Sequence, residues 1–356
     1  MMRMGWIAAL ALALTSWTTA HAQLIPRPFQ LQRLNYQLAG RIVDYTHDHG
    51  TDNRFWSAAL GERRDMYVYL PPGYDPNKQY PFILWLHGVA QDEHSFLMDG
   101  VCPLDEAMRS GRLPPAIVAA PDGSLRGVSG YFSAGSFWIN TPVGGPYEDY
   151  LMQDVWNFVT SHYSIRPEPE AHAVAGVSMG GGGAFHTAIK YPDRFKTAIA
   201  FIAPLNTRWQ DCHGRTTAHF DPNCWGWRSD FSRGRELLGR FYLFFTVRQS
   251  AVSFPLYGRK NPDTTKLIAR DNPIEMLDAY DVQDGQIGMY VAYGSLDQFN
   301  LGAQAESFLY HAHERGISVD VDYHPWGRHD RWTVQSMVPK ALDWLGPRLA
   351  PYAPQE

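Results

Sequence analysis

AHAVAGVSMGGGGAFHTAIKY, residues 171–191, decides the fold. It opens on a short apolar run, Ala173, Val174 and Ala175, passes through Gly176-Val177-Ser178-Met179-Gly180, and continues into a helical pattern. Gly-x-Ser-x-Gly carries chemical meaning only between a strand and a helix, where the sharp turn lifts the serine above the sheet. Glycine two residues before and two after lets neighbouring backbone approach where a Cβ would collide. The run Gly180 to Gly183 extends that freedom and seats the helix close on the sheet. Ala184, Phe185, Ala188 and Ile189 then form an inward helical face that ends before Pro192. So short a motif also arises by chance on a glycine-rich turn with an idle serine, so its meaning rests on the partners that the rest of the chain supplies.

Outward from this stretch the chain alternates strands with helices. Residues 80–89, YPFILWLHGV, are apolar on both faces, as in a central parallel strand covered by helices. Runs of the same type are residues 116–123, 197–205, 287–295 and 317–325. Between them Leu151, Val155, Phe158 and Val159 share a helical face, as do Ala305, Phe308, Leu309 and Ala312 before the glycine stop at Gly316. Near the end Val334, Met337, Val338, Ala341, Leu342 and Leu345 recur at helical spacing, with a local kink expected at Pro339. Residues 40–72 read as two or three strands after a Pro/Gln-rich lead-in, residues 23–40. The pattern predicts an α/β fold with a mostly parallel central sheet flanked by helices. One region breaks the rhythm. Residues 206–274 are longer than a plain crossover and unusually aromatic, and they read as an insertion capping the top of the sheet.

The first 22 residues carry Arg3, an apolar run from Trp6 to about Leu14, and Ala20-His21-Ala22, which together read as a signal peptide cleaved after Ala22. Residues 23–356 then form a single domain, expected in the periplasm or outside the cell. No later stretch is long and apolar enough for a transmembrane helix, and no stable membrane insertion is expected. The formal charge of -5 argues against nucleic acid and anionic membrane surfaces as partners. Of the three cysteines, Cys212 and Cys224 are close enough in sequence to staple a loop in an oxidising compartment, worth roughly 3 kcal/mol in a chain-entropy treatment. Cys102 is left over and is expected as a buried thiol. No cysteine spacing suggests a metal, and His47-Asp48-His49 lacks a third ligand of clear spacing, so it reads as a polar loop.

An ordinary serine hydroxyl needs a base to take its proton and a third group to orient that base. In a sheet of this kind the acid follows the nucleophile and the histidine comes last. Asp297, in YGSLDQFN, and His329, in HPWGRHDRW, follow late strands in that order. Both fall at carboxyl ends of strands, the edge where open α/β sheets bind ligands. Their rivals are worse placed. His324 precedes Pro325 and belongs to the strand end, and His87 reads as shaping a turn beside the site. Asp330 adjoins His329 in the chain, while Asp281 and Asp284 precede their strand. The oxyanion formed on attack needs donors, expected from the backbone N–H groups of Met179 and Val89.

The pieces YLPPGYD, WLHGV, FWINTPVGGPYEDYLMQDV, AVAGVSMGGGGAF, YPDRFKTAIAFIAP, the aspartate in YGSLD and the histidine in GRHD resemble the esterase D and enterochelin-esterase-like branch of the α/β-hydrolases. That branch includes feruloyl esterases, formylglutathione hydrolases and mycolyltransferases, and the likeness spans most of residues 65–205 and 285–345. It implies Ser178, Asp297 and His329 as a triad, an α/β-hydrolase fold, and a serine carboxylesterase without metal or organic cofactor. The two-cysteine aromatic insertion departs from it and leaves the substrate class open. The expected partner is a small-molecule or carbohydrate-linked ester. Trp138, Trp326 and Trp332 are candidates to stack a phenolic acid or a sugar, against the plainer reading that the aromatics pack cap on sheet. Two alternatives stand beside the esterase: an acyltransferase that passes the acyl group to a sugar hydroxyl, and a binding protein on an inactive hydrolase fold.

Overall fold

The computed structural model describes residues 27–130, 135–241 and 245–355. The expected signal peptide, residues 1–22, lies outside the described residues. Eight strands form the central sheet: β1 Arg41–Tyr45, β2 Met66–Leu70, β3 Phe82–Leu86, β4 Ile117–Pro121, β5 His172–Val177, β6 Thr197–Phe201, β7 Gly288–Gly294 and β8 Asp320–His324. Their order is β1-β2-β4-β3-β5-β6-β7-β8. β2 runs antiparallel to both its neighbours, and every other pairing is parallel.

The continuous apolar runs have a direct cause. Along β3, Phe82, Leu84 and Leu86 enter one core while Ile83 and Trp85 enter the other, because side chains alternate across a sheet that is covered on both faces. On the first face lie helix α1, Met179–Lys190, and helix α2, Leu301–Glu314, which supply Phe185, Ala188 and Phe308. The second face is closed by helix α3, Arg331–Leu349, whose buried stripe is Val334, Met337, Val338, Ala341, Leu342 and Leu345. Pro339 sits inside α3 without ending it.

Four expectations need correction. The apolar run over 317–325 predicts a strand covered on both faces, yet β8 is the sheet edge, with Val321 and Tyr323 exposed. The lead-in contains a helix, Arg27–Gln37, whose Leu31 packs on the second core and whose Asn35 amide holds β1, donating to the Ile42 carbonyl and accepting from the Ile42 N–H. Cys102 is exposed, because it falls on the outer side of the helix Val101–Arg109. The helical face of Leu151, Val155, Phe158 and Val159 is not one regular α-helix, since a π turn at Tyr150–Val155 precedes the α-helix Trp156–His162.

Within residues 206–274 the chain makes the hairpin Trp209–Asp211/Trp225–Trp227, the hairpin Leu237–Phe241/Phe245–Arg248 and the helices Gln249–Tyr257 and Thr264–Arg270. Cys212 and Cys224 are disulfide-bonded just beyond the ends of the first hairpin's strands.

The turn between β5 and α1 is packed too tightly for side chains. A Cβ on Gly176 would lie 2.8 Å from the Gly181 nitrogen, and one on Gly180 would lie 2.7 Å from the His87 carbonyl oxygen. Backbone cannot give way as a flexible side chain can. Gly180→Ala is therefore expected to destabilise the fold by about 3 kcal/mol, read as a lower urea midpoint at unchanged slope. An unaltered midpoint would show that β3 and α1 are not held at this separation.

Candidate active site

Ser178 sits at the top of β5 with φ 54° and ψ -119°, a backbone conformation that L residues rarely adopt. Three hydrogen bonds hold it there: Ser178 N–H donates to the Phe201 carbonyl at 2.8 Å, and the Ser178 carbonyl accepts from Gly181 and Gly182 at 2.9 and 3.2 Å. Met179 is the first helical residue of α1, so its N–H has no acceptor within the helix and points out of the N-terminus with the helix dipole.

The loop after β3 closes on the serine. A Cβ placed on Gly88 would lie 3.3 Å from Ser178 Cβ, and Val89 lines the same cavity as Ser178. His87 shapes this loop from behind and is buried. Its Nε2 accepts from the Gly123 N–H at 2.8 Å, which leaves the proton on Nδ1 to donate to the Gly88 carbonyl, also at 2.8 Å. Gln91 Oε1 accepts from the Gly88 N–H at 2.9 Å.

Asp297 and His329 meet, although 32 residues separate them in the chain. The acid follows β7, and the base follows β8 just before α3. His329 Nδ1 donates to Asp297 Oδ2 at 2.7 Å, and the other carboxylate oxygen accepts from the Phe299 N–H at 2.8 Å. The two side chains are 11% and 2% exposed, so the pair is largely shielded from water. Gln298 Oε1 accepts from the His329 N–H at 2.8 Å, and the Phe299 ring meets the imidazole edge-on at 4.8 Å. With Nδ1 carrying the proton, Nε2 is the basic nitrogen.

Ser178 and His329 line one cavity of about 670 Å³. Its walls include Ile139, Phe231, Leu256, Tyr257 and Ile268, a small apolar cluster built largely by residues 206–274. Polar groups line the cavity as well, among them Tyr257, His186 and Asp271. Burial raises Asp271, but the hydrogen bonds from His186 and Arg270 outweigh it and hold its carboxyl below the usual range. Burial, reinforced by Asp271, pushes the Tyr257 phenol well up, so it remains a donor. Glu148, His186 and Asp271 stand close enough to hold a cation, but Lys190 and Arg270 already neutralise the two carboxylates. Cys212, His213 and Cys224 also lie together, with both sulfurs committed to the disulfide.

Trp138 falls elsewhere than expected, and Trp326 and Trp332 lie outside the cavity. Trp138 is 0% exposed and does not line the cavity. Its indole lies against Gly123 and Gly183, meets the His87 ring edge-on at 5.1 Å and donates to the His87 carbonyl at 3.3 Å. It is wall material behind the Gly88 loop. Trp326 and Trp332 flank His329 in sequence but point outward, lining a separate shallow depression. Phe299, Gln298 and His87's two backbone contacts were not singled out as site features from sequence, where no spacing marks a ring or amide that supports another side chain.

Residues 57–333 match a family model described as a putative esterase. Esterase MT1326 of Mycobacterium tuberculosis is 29% identical over 179 residues, which are 47% of this chain and 36% of that protein. Endo-1,4-beta-xylanase Y of Acetivibrio thermocellus is 33% identical over 181 residues, 47% of this chain and 14% of that protein. The chain thus spans about a third or less of the length of these curated relatives. A solved ferulic acid esterase superposes with a TM-score of 0.61 at 17% identity, covering 87% of this chain and 99% of that one. An S-formylglutathione hydrolase from Agrobacterium tumefaciens does so with a TM-score of 0.61 at 17% identity, covering 88% and 96%. The fold is that of the α/β-hydrolase esterases.

Proposed function

The chain belongs to the putative esterase family, and from that premise we propose that it is an exported serine carboxylesterase working through an acyl-enzyme on Ser178. One arrangement carries the reading. A serine on a strained strand-to-helix turn shares a cavity with a histidine whose Nδ1 is held by a buried carboxylate.

Ser178 Oγ attacks the ester carbonyl carbon while His329 Nε2 takes its proton. Asp297 keeps the other ring proton on Nδ1 and stabilises the imidazolium. The carbonyl electron pair moves onto oxygen, where the N–H groups of Met179 and Val89 receive it. On collapse the ester C–O bond breaks, and the departing alkoxide takes the proton back from His329. Water then attacks the acyl-enzyme with His329 again as base, the bond between the acyl carbon and Ser178 Oγ breaks, His329 returns the proton to Oγ, and the acid leaves. Every step uses groups of this chain and water.

The cavity supports an acid half much larger than acetyl. Its apolar walls suit an aromatic ring, and Tyr257, His186 and Asp271 among them suit a polar ring substituent such as a phenol. Fold neighbours include a ferulic acid esterase from Anaeromyces mucronatus in complex with ferulic acid. A feruloyl ester is therefore the favoured substrate. The disulfide fits an oxidising compartment, in keeping with the leader-like first 22 residues.

Methyl ferulate and a short acetyl ester, assayed side by side, test the substrate assignment. The expected result is a kcat/KM at least roughly tenfold higher for the feruloyl ester, as a filled aryl pocket requires. Preference for the acetyl ester would overturn it. Adding a polyol acceptor and comparing transfer product with free acid decides between water and a sugar hydroxyl as the second nucleophile; free acid is expected to dominate.

A further inference from the structure

Trp326 is 81% exposed and Trp332 is 77% exposed, although burial of a large apolar side chain stabilises a fold. Among the described residues neither indole has a ring, hydrogen-bond or ion-pair partner. Together with Tyr323, His324, Thr333 and Ser336 they line a shallow depression of about 380 Å³. Tyr323 is held by a ring contact to Tyr293 at 5.2 Å, so part of the surface is fixed by the sheet beneath it. The depression belongs to the same turn as His329, with Trp326 three residues before it and Trp332 three residues after.

We infer that Trp326 and Trp332 form an external platform for a neutral sugar chain attached to the alcohol half of the ester. This rests on the esterase reading above. Direction is the first argument. His329 returns its proton to the leaving alcohol, so that half of the ester lies on the His329 side, while the acid half fills the cavity bordered by residues 206–274. A polymeric alcohol has to continue outward from His329, and the surface of its own turn presents the two indoles.

Chemistry is the second argument. Sugar rings have C–H faces of positive partial charge, which stack on the negative face of an aromatic ring, and hydroxyl edges, which Thr333 and Ser336 can meet. No Asp, Glu, Lys or Arg lines the depression. Of the charges around it, Asp322 accepts from Lys340 at 2.6 Å and from His324 at 3.1 Å, while Arg328 lies exposed beside the depression. The ring-stacking surface itself thus carries no charge, which suits a neutral sugar face. A protein partner usually covers about 800 Å² per side around a mixed aliphatic and aromatic centre, and two indoles and a tyrosine in a shallow depression are a poor match.

Binding is measured separately from turnover. Ser178→Ala protein is run through native gels containing soluble arabinoxylan, a neutral branched polysaccharide, with and without Trp326→Ala and Trp332→Ala. Retardation of the parent and at least roughly tenfold weaker apparent affinity in the double variant are expected. Trp326→Tyr with Trp332→Tyr keeps flat rings and should retain most of the retardation, which separates stacking from misfolding. With an active Ser178, the ratio of kcat/KM for feruloylated arabinoxylan to that for methyl ferulate should fall by roughly the same factor in the double alanine variant. Equal retardation of all variants, or an unchanged ratio, overturns the platform. So does a lower sedimentation mass in the double alanine variant, which would mark the patch as a contact between copies. If the wild type cleaves no ester while the Ser178→Ala protein is still retarded, the esterase reading falls and the platform stands.

Discussion

Ser178→Ala is expected to lower kcat by on the order of 10⁴ to 10⁶ on any ester the wild type cleaves. The fold should survive, because the side chain contributes nothing that holds the turn. The bonds that fix this residue run through its N–H to Phe201 and through its carbonyl to Gly181 and Gly182. Alanine at φ 54° meets the same backbone cost as serine, since both carry a Cβ. The denaturation midpoint should therefore stay within error of wild type while burst and steady-state turnover both vanish. Residual hydrolysis would be limited to what the oxyanion donors and binding supply without a nucleophile. Retention of wild-type kcat would mean that another residue attacks.

Asp297→Asn carries the second large effect, and here the structure dictates the sign. In the wild type one carboxylate oxygen accepts from the Phe299 N–H and the other from His329 Nδ1. Asparagine has a single oxygen, and the Phe299 N–H needs it. The amide NH₂ is then turned toward His329, where it donates to Nδ1 and forces the ring proton onto Nε2. That is the wrong tautomer for a base facing Ser178. A loss of roughly 10⁴ in kcat is expected, equivalent to about 5 kcal/mol of barrier, with KM for methyl ferulate changed little. A loss under tenfold would show that Asp297 neither orients nor charges His329.

Most of what positions this chemistry was legible in the chain. Strand, turn and helix around Ser178 could be read because glycine is obligatory where backbone meets backbone, and the structure shows that contact at Gly176 and Gly180. Order along the chain pointed to Asp297 and His329, and the structure brings the two side chains together. Burial on both faces of β3 was visible as an uninterrupted apolar run, because nothing polar can be tolerated there.

The misreadings share a physical origin. Tryptophan is large, and whether it faces a core, a cavity or water depends on tertiary neighbours that local sequence does not name. Trp138 is buried because two glycines, Gly123 and Gly183, leave room for its indole. Trp326 and Trp332 have no such recess and stay outside. β8 carries alternating Asp320 and Asp322, which in retrospect fit an edge strand better than a covered one. Supporting contacts such as Gln298 to the His329 backbone arise only when separate loops meet.

Intact mass after exposure to a fluorophosphonate tests the central claim most directly, because the probe reports an activated serine whatever the natural ester is. One covalent adduct is expected on the wild type, mapping to Ser178, with none on Ser178→Ala and much slower labelling of Asp297→Asn. An adduct that persists in Ser178→Ala, or a wild type that stays unlabelled while correctly folded, would contradict it.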